Sequence, residues 1–151
     1  AAQGVTSSGG KRTAPSAGAI YPLELYLADD SGVHHYLSND HALERVSDED
    51  LRAALQDAAL GQEAIGDAAA VVIITAIQAR TAAKYGDRAE RYVRLEAGHA
   101  AQNLLLQAVA LDLGAVPIGA FGDLEIQRIL DFPAEEEPLY LIPVGHLVQR
   151  G

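Results

Sequence analysis

The run Arg12-Thr13-Ala14-Pro15-Ser16-Ala17-Gly18-Ala19-Ile20-Tyr21-Pro22 has the residue types that hold a flat ligand. Pro15 fixes φ and Ser16 supplies a hydroxyl, while Ala17, Gly18 and Ala19 have almost no side chain, so their backbone can lie close against a planar ring. A plain turn feeding a strand uses the same residues, and the loop alone leaves both readings open. Glu96 and His99 form a Glu-x-x-His pair on one helix face, the spacing with which carboxylate-bridged di-metal bundles present ligands. Such a site needs a second pair and two further glutamates, and no other Glu-x-x-His occurs in the chain. Hydrogen-bonded helix packing is therefore expected of His99 and Asn103, and no metal site. His34 and His35 are neighbours in a strand-like segment and point to opposite faces, which argues for two surface residues rather than a shared metal. Ser16 lacks the glycine two places upstream that a nucleophile elbow requires, which argues against a hydrolase. The chain has neither a Gly-x-Gly-x-x-Gly after a strand nor a phosphate loop ending in Lys-Ser/Thr, so an intrinsic dinucleotide or P-loop site is disfavoured.

The elements that must position these residues follow from periodicity. Ile20 to Ala28 reads as a strand with Leu23, Leu25 and Leu27 on one face, turned at Asp29-Asp30-Ser31-Gly32 into a second strand from Val33 to Leu37. Ser47 and Asp50 resemble a capping box opening a helix that runs through Leu51, Ala54, Leu55 and Ala58 to Gly61. Ala68 to Ile77 is continuously apolar and rich in β-branched residues, as in a strand buried on both faces. A helical turn over Ala79 to Tyr85 precedes a long helix from Asp87 to Leu113, capped by Gly114, whose predicted core stripe is Tyr92, Leu95, His99, Gln102, Leu106, Val109 and Leu113. Its second face, Ala97, Gly98, Ala100 and Ala101, is smooth enough for another helix to approach. Ala115 to Phe121 reads as extended, Asp123 as the cap of a helix ending near Leu130, Glu135-Glu136-Glu137 as a solvated loop, and Pro138 to Val148 as the last strand. The absence of a regular β-α-β repeat favours α+β over a doubly wound sheet.

Four further segments occur in fixed order after the Pro15-Ser16-Ala17-Gly18 loop. They are Lys84-Tyr85-Gly86 with Arg88, Arg91 and Tyr92; Glu96-Ala97-Gly98-His99 with Gln102-Asn103-Leu104; Ile118-Gly119-Ala120-Phe121; and Leu139-Tyr140-Leu141 leading to Pro143-Val144-Gly145. Together the five resemble the SagB/ThcOx-type branch of the FMN-dependent nitroreductase-like superfamily, over nearly the whole chain. The resemblance implies an α+β nitroreductase-like fold, a mixed and largely antiparallel sheet flanked by helices, and a homodimer with two FMN sites at its interface. It implies an FMN site that includes Arg12 and in which Pro15, Ser16, Ala17 and Gly18 contact the flavin of the neighbouring subunit, Ser16 near the ribityl-phosphate end. Ile118, Gly119 and Ala120 match the loop that lies over the ring with backbone N–H groups toward N5. Lys84 and Tyr85 match a pair that, in relatives oxidising thiazolines and oxazolines, deprotonates the ring carbon while hydride passes to the flavin. Arg88 and Arg91 could supply the field that lowers a lysine pKa toward working pH. The implied activity is azoline dehydrogenation on a small molecule or modified peptide, with oxygen reoxidising the flavin. The alternatives are NAD(P)H-dependent reduction of nitro compounds or quinones, with nicotinamide a transient visitor, and a flavin-free scaffold. Relatives carry an upstream helical segment that grips the FMN phosphate. Here Ala1-Ala2-Gln3-Gly4 reads as the last turn of such a helix, so that segment is expected to be missing.

Composition bounds the rest. With 151 residues, 49% of them hydrophobic, the chain is expected to form one domain, residues 1–151, with a substantial core. A formal net charge of −10 and the lack of any Lys/Arg run argue against nucleic acid or anionic membrane as partner. With no cysteine there is no disulfide, thiolate nucleophile or cysteine-ligated cluster, so redox chemistry requires a bound cofactor. The longest apolar run is too short to span a bilayer and no signal peptide is evident, so a cytoplasmic location is expected.

Overall fold

A computed structural model describes residues 1–147. Among them six strands form one sheet in the order β3-β2-β1-β4-β6-β5. The strands are β1 (Leu23–Asp29), β2 (Gly32–Leu37), β3 (Ala42–Ser47), β4 (Ala70–Ile77), β5 (Leu113–Ala115) and β6 (Glu136–His146). Every neighbouring pair is antiparallel, so the expected mixed sheet is antiparallel throughout the described residues. The helices are α1 (Arg52–Ala58), α2 (Glu63–Gly66), α3 (Gln78–Tyr85), α4 (Ala89–Ala110) and α5 (Asp123–Ile129). No helix among the described residues is long and apolar enough to cross a membrane.

β4 organises the core because its β-branched residues are buried on both faces. Val71 and Ile73 meet Leu55, Ile65, Ile126 and Leu141 under α1, α2 and α5. Ile74 and Ala76 meet Leu23, Leu25, Val93, Ala97, Ala100 and Ala101 under α4. The hairpin joining β1 to β2 forms as its turn residues predict. Asp29 Oδ1 accepts the Ser31 backbone N–H at 2.8 Å, and Gly32 takes φ +130° with no room for a Cβ against the Ser47 carbonyl.

Several elements differ from expectation for physical reasons. β3 ends where a helix cap was expected: Ser47 closes the strand and α1 begins five residues later, with Ser47 Oγ accepting the Glu49 N–H. α4 stops at Ala110, so Gly114 lies in β5 rather than capping the helix. β5 takes only the front of the expected extended segment, whose Ile118 makes an isolated bridge. Asp123 is the first residue of α5, behind a Gly122 cap, and makes no side-chain cap bond. The faces of α4 are reversed: Val93, Ala97, Ala100 and Ala101 are buried, while Leu95 (50% exposed), Leu106 (61%) and Val109 (73%) of the expected core stripe face outward. The small residues thus bring α4 close to the sheet rather than to a second helix. Glu136 is no part of a solvated loop either. It opens β6, is 4% exposed and accepts the Thr75 hydroxyl. Burial first, and then this carboxylate, push the Tyr26 phenol far above its usual range. His35 is half-buried rather than a surface residue, with Nε2 2.9 Å from Glu24 Oε2 and its ring stacked on Tyr26. Residues 1–4 hold no helical turn; Gly4 C=O accepts the Thr13 N–H, and Val5 bridges to Arg12. The expected end of the last strand, Val148, lies outside the described residues.

Candidate active site

The Pro-Ser loop is not extended into β1 as the alternation of Ile20 to Leu27 suggests. Ala17–Ala19 forms a 3-10 turn, and Tyr21 takes φ +55°, so the strand begins only at Leu23. The Ser16 hydroxyl closes the turn, accepting the Tyr21 N–H at 2.9 Å. Pro15, Gly18 and Ala19 are exposed, Ser16 and Ala17 half-buried.

Gly18 lies against the end of α3. A Cβ built on it would stand 2.8 Å from the Tyr85 hydroxyl oxygen and 2.9 Å from Lys84 Nζ. Two segments far apart in sequence therefore converge, and at φ +63° a side chain here would be strained and would push the Tyr85 and Lys84 tips aside. Lys84 is exposed, with Nζ 5.5 Å from the Tyr85 ring centroid, and Tyr85 packs edge-on against Tyr92. Arg88 lies over the Tyr92 ring at 6.0 Å.

Arg12 points inward. Its guanidinium stacks 4.6 Å from the Tyr21 ring centroid and donates to Gln3 Oε1 at 3.3 Å, while its backbone N–H donates to the Tyr21 hydroxyl at 3.1 Å. Beneath it, Gln3 Nε2 donates to Glu96 Oε1 at 3.3 Å. Glu96 is 2% exposed, and burial raises its carboxyl above the usual range against the opposing pull of Ser16, Gln3 and Arg12. It thus stands under the loop rather than beside His99, which is exposed, and no group of residues able to hold a metal ion occurs among the described residues. The Glu-x-x-His spacing suggested a ligand pair. The signal for the real role was positional: Glu96 shares the helical face of Val93, Ala97 and Ala100.

Ile118, Gly119 and Ala120 lie elsewhere. Ile118 is anchored by a two-way backbone bridge with Leu141, N–H to C=O at 2.8 and 3.0 Å, and its side chain is buried under α5. Gln62, which sequence reasoning missed, donates to the Ala120 carbonyl at 3.0 Å. Gly119 and Ala120 are exposed, and among the described residues no hydrogen bond engages their N–H groups. Leu141 faces Ile73 on β4, whereas Pro22 bonds Ile77 four residues further along. By strand rise and spacing the two anchor points are roughly 19 Å apart. The chain thus offers two half-sites, one with side-chain chemistry and one with free backbone donors.

A flat ring fits this donor set: glycine-lined surfaces allow close approach in both half-sites, and the second presents N–H donors. The antiparallel α+β fold, with these two exposed segments at separate places on it, defines the class of protein. The comparisons agree. The model of the nitroreductase family matches residues 1–146, and the chain belongs to that family. It is 46% identical to MJ1384, a candidate nitroreductase of Methanocaldococcus jannaschii, over 99% of this chain and 77% of that protein. Among solved structures, a candidate nitroreductase of Anabaena variabilis superposes with TM-score 0.88 at 30% identity, over 95% of this chain; the match spans only 32% of that longer chain. One from Ralstonia eutropha gives 0.88 at 28% identity, covering 99% and 70%. The Escherichia coli microcin synthetase McbBCD complex, with truncated pro-MccB17 bound, shares the fold at TM-score 0.87 and 24% identity, covering 98% of this chain and 60% of the matched chain.

Proposed function

We propose that this nitroreductase-family oxidoreductase is FMN-dependent, belongs to the SagB/ThcOx-type branch and oxidises azoline rings on a small molecule or modified peptide. The observation that carries the reading is the convergence of Gly18 with Lys84 Nζ and the Tyr85 hydroxyl, which puts a base and a phenol beside a surface bare enough for a planar ring. Bound FMN would supply the two-electron acceptor that the side chains lack. Lys84 takes the proton from the substrate ring carbon, and Tyr85, held edge-on by Tyr92, orients and hydrogen-bonds the reacting group. Pro15, Ser16, Ala17 and Gly18 form the wall against the ring, Ile118 anchors the opposing loop, and Gly119 and Ala120 present their N–H groups. Arg12 supports the wall through Tyr21.

The separation of the half-sites supports a homodimer in which each flavin lies between the Lys84–Tyr85 half of one subunit and the Gly119–Ala120 half of the other. The outward stripe of Leu95, Leu106 and Val109 on α4 has no cover among the described residues and suits a second copy. Purified protein, read by visible absorbance and by identification of chromophore released on heating, is expected to carry about one FMN per subunit. Lys84→Ala is expected to abolish azoline oxidation with flavin retained, and unchanged turnover would sink the assigned chemistry. The family resemblance to nitroreductases also supports NAD(P)H-driven reduction of nitro compounds or quinones; rapid anaerobic bleaching by NADH or NADPH would favour it over oxidation. Colourless protein that does not bind added FMN would leave a scaffold.

A further inference from the structure

The loop facing Lys84 and Tyr85 is strained. Gly18, Ala19 and Tyr21 have φ of +63°, +54° and +55°, and for the two non-glycine residues this region costs about 1 kcal/mol or more each. Such a backbone persists only where its surroundings over-determine it. Here Ser16 Oγ holds the Tyr21 N–H, Tyr21 OH holds the Arg12 N–H, and the Arg12 guanidinium covers the Tyr21 ring. Glu96 joins this set through Gln3, itself 1% exposed, which donates to Glu96 and accepts from the Arg12 guanidinium. A buried carboxylate is a costly way to fill space between Val93, Ala97 and Ala100, where an apolar side chain would pack without desolvation. Folding alone therefore does not account for a glutamate at this position.

We propose that Glu96 is a positioning residue: acting on Arg12 through Gln3, and through Arg12 on Tyr21, it fixes the strained 16–21 loop so that Gly18 sets the placement of Lys84 Nζ and the Tyr85 hydroxyl. The inference rests on the assignment of Lys84 and Tyr85 as the reacting pair, but its geometric consequence can be read without turnover. Lys11 and Lys84 are the only lysines in the sequence. Reductive methylation with a 13C label gives a Lys84 dimethylamine signal, assigned by its loss in Lys84→Arg, that senses the Tyr85 ring 5.5 Å away. Glu96→Ala is expected to move this signal toward that of a free lysine, and Glu96→Gln, which can still accept from Gln3, to retain it. In flavin-loaded protein Glu96→Ala is expected to lower kcat about ten- to a hundredfold with KM changed far less, and Glu96→Gln to restore most of it. An unmoved Lys84 signal in folded Glu96→Ala overturns the proposal. Should that variant fail to fold, Gln3→Ala breaks the link between Glu96 and Arg12 without touching the carboxyl, and there too a moved signal supports the proposal and an unmoved one overturns it. A moved signal in protein that oxidises no azoline upholds the positioning and overturns only the reaction assigned to the pair.

Discussion

The two half-sites are built by opposite means. The 12–21 loop is held by side chains: a serine, a tyrosine, an arginine and a glutamine stacked over a buried glutamate, with residues of positive φ between them. The 118–120 segment is held by the sheet, through a two-way backbone bridge to Leu141 and an isoleucine in the main core, with Gln62 as its one side-chain tie among the described residues. The first brings titratable side chains, Lys84 and Tyr85, against Gly18, and is held by a polar network at some cost in stability. The second presents only amide N–H groups, which a strand edge orients without further help. Mutations should accordingly affect placement in the first half-site and global stability in the second.

Truncation separates them most strongly. Ile118→Ala empties space between Ile126 and Leu141 and is expected to cost about 2–4 kcal/mol in urea unfolding. Ser16→Ala removes one partly buried hydrogen bond and is expected to cost about 1 kcal/mol. Equal costs would mean that the loop is as much a part of the core as the strand edge, and the contrast would fail. The glycines give a finer comparison. Gly18→Ala forces a Cβ against Tyr85 and Lys84 at φ +63° and is expected to cost about 1–2 kcal/mol and to displace Lys84. At Gly119 a Cβ meets only Tyr140 Cε1 at 4.0 Å, so Gly119→Ala is expected to leave stability within about 0.5 kcal/mol while weakening FMN retention. A Gly119→Ala protein with wild-type FMN content, measured by released chromophore, would remove that loop from the ligand surface.

The same contrast decides what the sequence made legible. β4 could be read from its unbroken β-branched run because that signal is local, whereas the Pro-Ser and Lys-Tyr segments stand out by the resemblance and not by their residues alone. β3 could not be read: as an edge strand exposed from Ala42 to Val46 it has no buried face to impose alternation. The orientation of α4 misled because periodicity marks Leu95, Leu106 and Val109 as the apolar face, whereas close sheet packing selects the alanines, leaving that stripe exposed among the described residues. Glu96 and Glu136 were misread for one reason. Sequence reasoning assigns Glu136 to solvent, and weighs Glu96 only against a metal site that it then sets aside, because their hydrogen-bond partners, Thr75 for one and Gln3 for the other, come from distant segments.

The smallest effect tests the buried hub itself. Burial raises the Glu96 carboxyl above its ordinary 4.5, so the folded state binds a proton that the unfolded chain releases. Stability from this group is complete below about 4.5 and is lost as pH rises through the folded value. Asp50 acts in the other sense: hydrogen bonding to Arg52 pulls its carboxyl down to about 2, so its contribution is present at neutral pH and fades only in acid. The stability of the wild type minus that of Glu96→Gln should therefore fall as pH rises from 4.5 toward neutrality and then level off, with Asp50 cancelling in the difference. Chemical denaturation of both proteins across that range measures it. A flat difference would mean that Arg12, Gln3 and Ser16 fully offset the burial of the carboxylate. A rising one would make Glu96 a net ion-pair partner of Arg12, and the loop would then be held by charge rather than by hydrogen bonds to a carboxyl that burial makes harder to ionise.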